Sequence, residues 1–260
     1  MQAKLYEYLL SNKTELIVCE NDKEADELAQ VCLFLNLKTF VLPDFRAEFG
    51  SDLRSFSKEL FEICKVLNAY HKEDENKILI SPIKTILQKL PGKKHLKNII
   101  LKRNSLLVLE KFKEEILHSG YEFVDIVQDK GEVSIRGDII DIFAISEEQP
   151  FRILLFSDEI ESIRYFDIHT QKSIPNELSK IEICPFLSAF NQEQYENLQE
   201  KIQNFQSQSI INDVNSLGFW CVDDFCDYLD LNFVSIKNFD INDFEEDISK
   251  INQNILPEPR

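Results

Sequence analysis

Glycine is scarce in this chain of 260 residues, which contains six: Gly50, Gly92, Gly120, Gly131, Gly137 and Gly218. A P-loop needs G-x-x-x-x-G-K-[ST], because only glycines let successive backbone N–H groups close on phosphate, and the lysine must reach it. The nearest pair, Gly131 and Gly137, has five residues between and Asp138 after it. No G-x-G-x-x-G dinucleotide fingerprint occurs. Nucleotide binding through a P-loop is excluded. Histidine is sparse too: His71, His95, His118 and His169 are scattered, with no H-E-x-x-H and no serine elbow. The six cysteines, Cys19, Cys32, Cys64, Cys184, Cys221 and Cys226, form no C-x-x-C. Cys221 and Cys226 stand closest, as C-x4-C in an acidic stretch, with no histidine pair at metal-ligand spacing. The expectation is therefore no catalytic residue, no metal, no cofactor and no enzyme activity in these residues. The cysteines read as buried reduced thiols of a cytoplasmic protein. No apolar run approaches the roughly 20 residues that cross a bilayer, and the opening MQAKLYEYLL is broken by Glu7, unlike a signal peptide. No membrane partner is expected, and the chain reads as monomeric.

Positive charge is also in short supply. Lysine and arginine number 29 against 46 acids, a net charge of −17. Residues 181–260 hold 4 basic and 15 acidic residues, so the C-terminal third is a poor candidate for touching DNA, whose affinity comes largely from Lys and Arg. One segment runs against this balance. QKLPGKKHLKNIILKR (88–103) carries Lys89, Lys93, Lys94, Lys97, Lys102 and Arg103 and no acid. It is a candidate basic contact for DNA or for another domain, or else a solvated linker, and Pro91–Gly92 make it a plausible boundary.

Hydrophobic residues, at 43%, suffice for several cores. ELIVCE (15–20) reads as a buried strand. Asn21 or Asp22 caps a helix in which Ala25, Leu28, Ala29, Cys32 and Leu33 share a face. TFVLPD (39–44) is a second strand, 52–71 an amphipathic helix with Leu53, Phe56, Leu60, Ile63, Cys64 and Leu67 on one side, and KILISP (77–82) a third strand. Strand and helix alternating in this way predict a parallel sheet. After the basic run come a short strand, a helix from Ser105 to about Ser119 ended by Gly120, and strands from Tyr121 to Ile174, with a hairpin turn at Asp129–Gly131. IEICPF (181–186) opens a third segment, with a helix at 191–206, a strand in GFWCVDD and an acidic helix or loose tail at 239–253. The fold class is α/β: one parallel-sheet domain, residues 1–92 and 179–260, split by a small α+β domain at 93–178.

In that middle domain two strands raise a question. VSIRG (133–137) places Arg136 with Ser134 on one face, and FRILLF (151–156) places Arg152, Leu154 and Phe156 on one face, since side chains alternate along a strand. Gly137 reads as a bulge that shifts the alternation beyond it. Two arginines and a phenylalanine on a shared face have the make-up of an interface hot spot. The plainer alternative buries Phe156 under a helix and pairs the arginines with Asp138, Glu159 or Glu161. Asp158 and Glu159, which end an apolar run as in a Walker B strand, read as a solvated turn without a P-loop to supply phosphate.

GEVSIRGDIIDIF (131–143) followed by FRILLFSDEIESIRYFDIHTQKSI (151–174) resembles a signature shared by the bacterial UvrB and transcription-repair coupling factor (Mfd) families. Gln171, Lys172 and Ser173, together with the missing P-loop, favour the second family. VLPDF (41–45) resembles that family's LPDWE, although Arg46 departs from it. The resemblance implies the N-terminal region of such a factor: a degenerate P-loop-NTPase-like domain, split by a UvrA-binding domain. It implies that Arg136, Arg152 and Phe156 contact UvrA by mimicking UvrB, with Arg164 and Leu154 as further contacts. A motor using ATP and Mg²⁺, and contacts to RNA polymerase and double-stranded DNA, would lie beyond Arg260. Degenerate nucleotide binding by the first lobe, or DNA binding by the 88–103 run, are the competing readings.

Overall fold

A computed structural model describes residues 15–47, 53–74, 77–186 and 226–235. The helix expected at 191–206, the strand in GFWCVDD and the segment 239–253 lie outside the described residues. The chain forms two compact units, residues 1–93 with 193–260, and residues 94–192.

The first unit begins with β1 (Leu16–Cys19), buried along its whole length. The Asn21 side chain accepts from the Glu24 N–H at 3.1 Å, and Glu24 reaches back to accept from the Glu20 N–H at 2.8 Å. This reciprocal box starts α1 (Asp22–Phe34). Asp22 and Glu24 stand in the first turn, where their charge suits the positive end of the helix dipole. Ala25, Leu28 and Cys32 are buried, but Leu33 is exposed. Eight residues past Ala25 the helix has turned about 80° off the buried stripe.

β2 (Lys38–Val41) and β3 (Lys77–Pro82) flank α2 (Ser57–Lys72). A 3₁₀ turn at Leu53–Phe56 replaces the first turn of the expected helix. All pairings are parallel, in the order Phe233–Ser235, β1, β3, β2. The short α3 (Ile83–Ile86) supplies Thr85, whose hydroxyl donates to the Pro43 carbonyl and accepts from the Phe45 N–H, pinning the LPDF stretch to the sheet.

The last strand returns through buried Tyr228, whose hydroxyl donates to the Pro91 carbonyl at 2.8 Å. With that hydrogen used, His71 Nε2–H donates to the tyrosine oxygen at 2.6 Å. Burial first, then Lys77 and Lys93, push the His71 pKa down to about 4. The folded state therefore binds this proton less readily than the unfolded chain. The stabilisation from neutral His71 is complete above the unfolded value near 6.5 and is lost as pH falls towards 4. Thermal melts are expected to fall between pH 6.5 and 4, and more shallowly in His71→Gln. Parallel curves for the two proteins would refute the assignment. Cys19 and Cys32 are also buried, which pushes their thiols up to about 12 and about 11.

In the second unit β4 (Ile99–Lys102) leads to α4 (Leu109–His118). The helix starts four residues later than its pattern suggested. Asn104 to Leu107 instead bond to the backbone of Asp158 and Ile160. Gly120 follows the helix with φ +95°, and a Cβ there would lie 2.4 Å from the Phe186 carbonyl oxygen. A six-stranded sheet follows: β5 (Glu122–Phe123), β6 (Glu132–Arg136), β7 (Ile139–Ile142), β8 (Phe151–Phe156), β9 (Glu159–Phe166) and β10 (Ser173–Glu177), neighbours in sequence order. All pairs are antiparallel except β5–β6, which is parallel.

Asp129–Gly131 is therefore not a hairpin turn. Glu132 accepts from the N–H groups of Gln128 and Asp129, at 2.6 and 2.8 Å, and holds a wider connection that re-enters in the same direction. Nor is Gly137 a bulge. With φ +59° it forms, with Asp138, a two-residue turn that pairs Arg136 with Ile139. β11 (Lys180–Ile183), expected to open the third segment, is antiparallel to β4 and belongs to this middle unit. Among the described residues no helix is long and apolar enough to cross a membrane, and no group of His, Cys, Asp or Glu is placed to hold a metal ion.

Candidate functional site

Register decides which side chains share a face. Directly opposite residues lie on one side of a sheet. One side carries Val133, Ile140, Ile142, Phe151, Ile153, Leu155 and Ile163, all buried. On the other side, Ser134, Asp141, Arg152, Arg164 and Glu177 form one row across five strands. Arg136, Ile139, Leu154 and Ser162 form the next row, and Phe156 with Glu159 the third. The face expected to hold Arg136, Arg152, Leu154 and Phe156 exists, and Arg164 shares it.

The four residues do not stand alike. Phe156 is 73% exposed at the end of β8, so it is not buried under a helix. Beside it Ser157 and Asp158 turn the chain, Ser157 with φ +56°, and Asp158 and Glu159 are exposed as a solvated turn requires. Leu106 pairs with Glu159 across an isolated bridge and is 78% exposed, so a second large apolar side chain extends the Phe156 row. Arg136 has a side-chain exposure of 47%, Arg152 of 19%. Both turn to Asp141, which is 1% exposed. Arg152 donates Nε–H to Asp141 Oδ1 at 2.6 Å and Nη2–H to Oδ2 at 2.7 Å, and Arg136 donates Nη2–H to Oδ2 at 2.8 Å. None of Asp138, Glu159 or Glu161 is the arginines' partner in these bonds.

Arg152 is held from further directions. Its Nη1–H donates to the Gln171 carbonyl at 2.9 Å, and its guanidinium lies 4.6 Å from the centre of the Phe166 ring. Gln171 has φ +57°, and its side chain donates to the Ile168 carbonyl at 2.8 Å. The Gln-Lys-Ser stretch thus turns a carbonyl towards Arg152. Hydrogen bonding to Asp141 raises the Arg152 pKa further, so the guanidinium stays charged.

Arg164 donates to Glu177 at 2.5 Å, and Arg103 donates to the other Glu177 oxygen at 2.6 Å. The hydrogen bond from Arg164, then the charges of Arg103 and Arg164, hold Glu177 below the usual carboxylate range. The basic run is thereby divided. Arg103 joins the arginine face through Glu177, Lys102 is exposed opposite Lys180, and Lys89, Lys93, Lys94 and Lys97 are exposed earlier in the run. At the centre of the face two guanidiniums, Arg136 and Arg152, share one carboxylate, Asp141, so this cluster keeps a positive charge within an acidic chain. Planar guanidiniums beside an exposed ring suit a partner that offers carboxylates around an apolar pocket.

Asp141, Leu106 and the Gln171 carbonyl were not singled out from sequence. The Gly137–Asp138 turn was the available signal for half of the placement of Asp141, because a two-residue turn fixes it opposite Ser134 and near Arg136, whereas its place opposite Arg152 is set by the longer connection from Ile142 to Phe151. Leu106 and Gln171 act through the path of a loop, for which the sequence carries no comparable mark.

The UvrB interaction domain family model matches residues 99–188. A transcription-repair-coupling factor of Helicobacter pylori (strain ATCC 700392 / 26695) is 34% identical over 228 residues, 85% of this chain and 22% of that protein. One from Borreliella burgdorferi is 28% identical over 260 residues, 95% of this chain and 23% of that protein. One from Haemophilus influenzae is 34% identical over 119 residues, 45% of this chain and 10% of that protein. The chain spans under a quarter of the length of these relatives.

Proposed function

The chain belongs to the transcription-repair-coupling factor family, and from that premise we propose that its UvrB interaction domain binds UvrA through the face bearing Arg136, Arg152 and Phe156. The observation that carries this reading is an exposed phenylalanine beside two arginines oriented by one buried carboxylate. Arg136 offers its remaining donors to a UvrA carboxylate, Phe156 enters an apolar pocket, and Leu154 and Arg164 border the contact. The domain thereby presents the surface that UvrB presents, without an ATPase of its own.

The unit formed by 1–93 and 193–260 is, in this reading, a UvrB-like domain descended from a P-loop NTPase that has lost its nucleotide site, with the interaction domain at 94–192, β11 included, inserted. The complete protein is a cytoplasmic, ATP- and Mg²⁺-dependent translocase on double-stranded DNA that acts on stalled RNA polymerase and recruits excision repair through this domain.

Calorimetric titration of the chain into UvrA tests the reading. Wild type is expected to bind, and Arg136→Ala to lose roughly 5- to 150-fold, about 1–3 kcal/mol, as for an energetically important interface residue. Because the arginines are partly exposed, binding is also expected to weaken as salt rises. A folded wild type that does not bind UvrA would overturn the reading. Duplex DNA titrated at low salt in place of UvrA separates it from the alternative, contact through Lys93, Lys94, Lys97, Lys102 and Arg103.

A further inference from the structure

We propose that Asp141 is the positioning residue of this face: it fixes the guanidiniums of Arg136 and Arg152 as one preorganised pair and does not itself touch the partner. The inference rests on the UvrA reading for its consequence in binding, but its geometric half stands alone. Asp141 bonds to both arginines, standing opposite Arg152 across β7–β8 and, across β6–β7, opposite Ser134, two residues from Arg136 on the same face. Its two oxygens take three hydrogen bonds of 2.6–2.8 Å, two from Arg152 and one from Arg136, and its side chain is 1% exposed. Both oxygens are covered by the two guanidiniums, so a partner meets the arginines first and Asp141 acts through them.

The chemistry of the cluster favours alignment over simple neutralisation. One carboxylate cannot cancel two guanidiniums, so the cluster keeps a net positive charge. The fork of Arg152 is used edge-on against Asp141 with Nη1 on the Gln171 carbonyl, so its plane is set from three sides. Arg136 shares only Nη2 with Oδ2, and among the described residues no other bond restrains it. A side chain with that much exposed length loses rotamer freedom when a partner captures it. A fixed anchor at Nη2 removes part of that loss before the partner arrives. Removing the anchor leaves the arginine in place chemically and lets it wander.

Asp141→Asn is the test, because either orientation of the amide turns an NH₂ group towards at least one guanidinium. UvrA binding of the wild-type chain, Asp141→Asn, Arg136→Ala and the double variant forms a cycle. Asp141→Asn is expected to weaken binding at least tenfold in the wild-type background and no more than about threefold when Arg136 is already alanine. Equal losses in both backgrounds would mean that Asp141 does not act through Arg136, and the proposal of a pair positioned together fails. It fails as well if Asp141→Asn binds like wild type while Arg136→Ala does not, an outcome that leaves the UvrA reading intact.

If no variant alters UvrA binding, the UvrA reading is at fault, and arginine side-chain NMR decides the geometric half. The Arg152 Nε–H is expected to exchange slowly with water in the wild type and rapidly in folded Asp141→Asn, whereas unchanged exchange would refute positioning. Should the asparagine variant not fold, Asp141→Glu, which keeps the charge and displaces it by one methylene, takes its place in both measurements with the same outcomes.

Discussion

Replacing Arg152 by alanine is expected to destabilise the middle unit by about 3 kcal/mol, the lower part of the range for breaking a buried ion pair. Asp141 would lose two of its three hydrogen bonds while remaining buried, the Gln171 carbonyl would lose its donor, and the Phe166 ring would lose the cation above it. Arg136 keeps one bond to the carboxylate, which is why the expectation sits at the low end. For a unit of this size that shift corresponds to a melting temperature lower by on the order of 10 °C or more. Differential scanning calorimetry of the chain checks it. Arg152→Lys keeps the charge but not the fork and should recover only part of the loss. A melting temperature within a degree or two of wild type would mean that the Arg152–Asp141 pair adds nothing to the fold. Lost UvrA binding by Arg152→Ala is therefore weak evidence for a contact unless the variant is shown to be folded at the temperature of the assay.

Phe156→Ala is expected to behave in the opposite way. The ring is 73% exposed, so its removal leaves no cavity and should move the melting temperature by less than the error of a single scan. Its loss should weaken UvrA binding by about 2–4 kcal/mol, roughly 30- to 1000-fold, as expected for an aromatic anchor at the centre of an interface. Calorimetric titration of the wild type and the variant side by side measures this. Affinity equal to wild type would move the apolar anchor elsewhere on the face, and Leu106, exposed in the same row, is the next residue to truncate. The pair of variants separates two residues that a sequence motif treats alike: one is chiefly a part of the fold, the other chiefly a part of the surface.

Much of this was legible beforehand. Alternation in FRILLF divided Phe151, Ile153 and Leu155 from Arg152, Leu154 and Phe156, and burial divides them the same way. The parallel sheet of the first unit followed from strands and helices alternating at short intervals, and Asn21 capped its helix as its position suggested. The misreadings have identifiable causes. Gly137 reads as a bulge from sequence because a glycine inside an apparent strand is a usual mark of one, whereas Gly137 and Asp138 close a hairpin. Asp129–Gly131 has the composition of a hairpin turn, but Glu132 ties down the amides of Gln128 and Asp129 and the strands run parallel. Residues 105–108 had no signal against helix, since what draws them away is the backbone of the β8–β9 turn, about 50 positions further on.

The sequence by itself determined which side chains lie on one face of a strand, because that depends only on the two-residue period of the extended chain. It also determined that no P-loop motif is present, because that depends only on the order of residues. Only the tertiary structure decided how each residue on that face is held. Asp141 lies five residues from Arg136 and eleven from Arg152 along the chain, and the strand pairing that brings its carboxylate to both is a property of the sheet. Whether an arginine is a free contact or a fastened part of the core depends on its hydrogen-bond partners, and those are set by register, which no single strand contains.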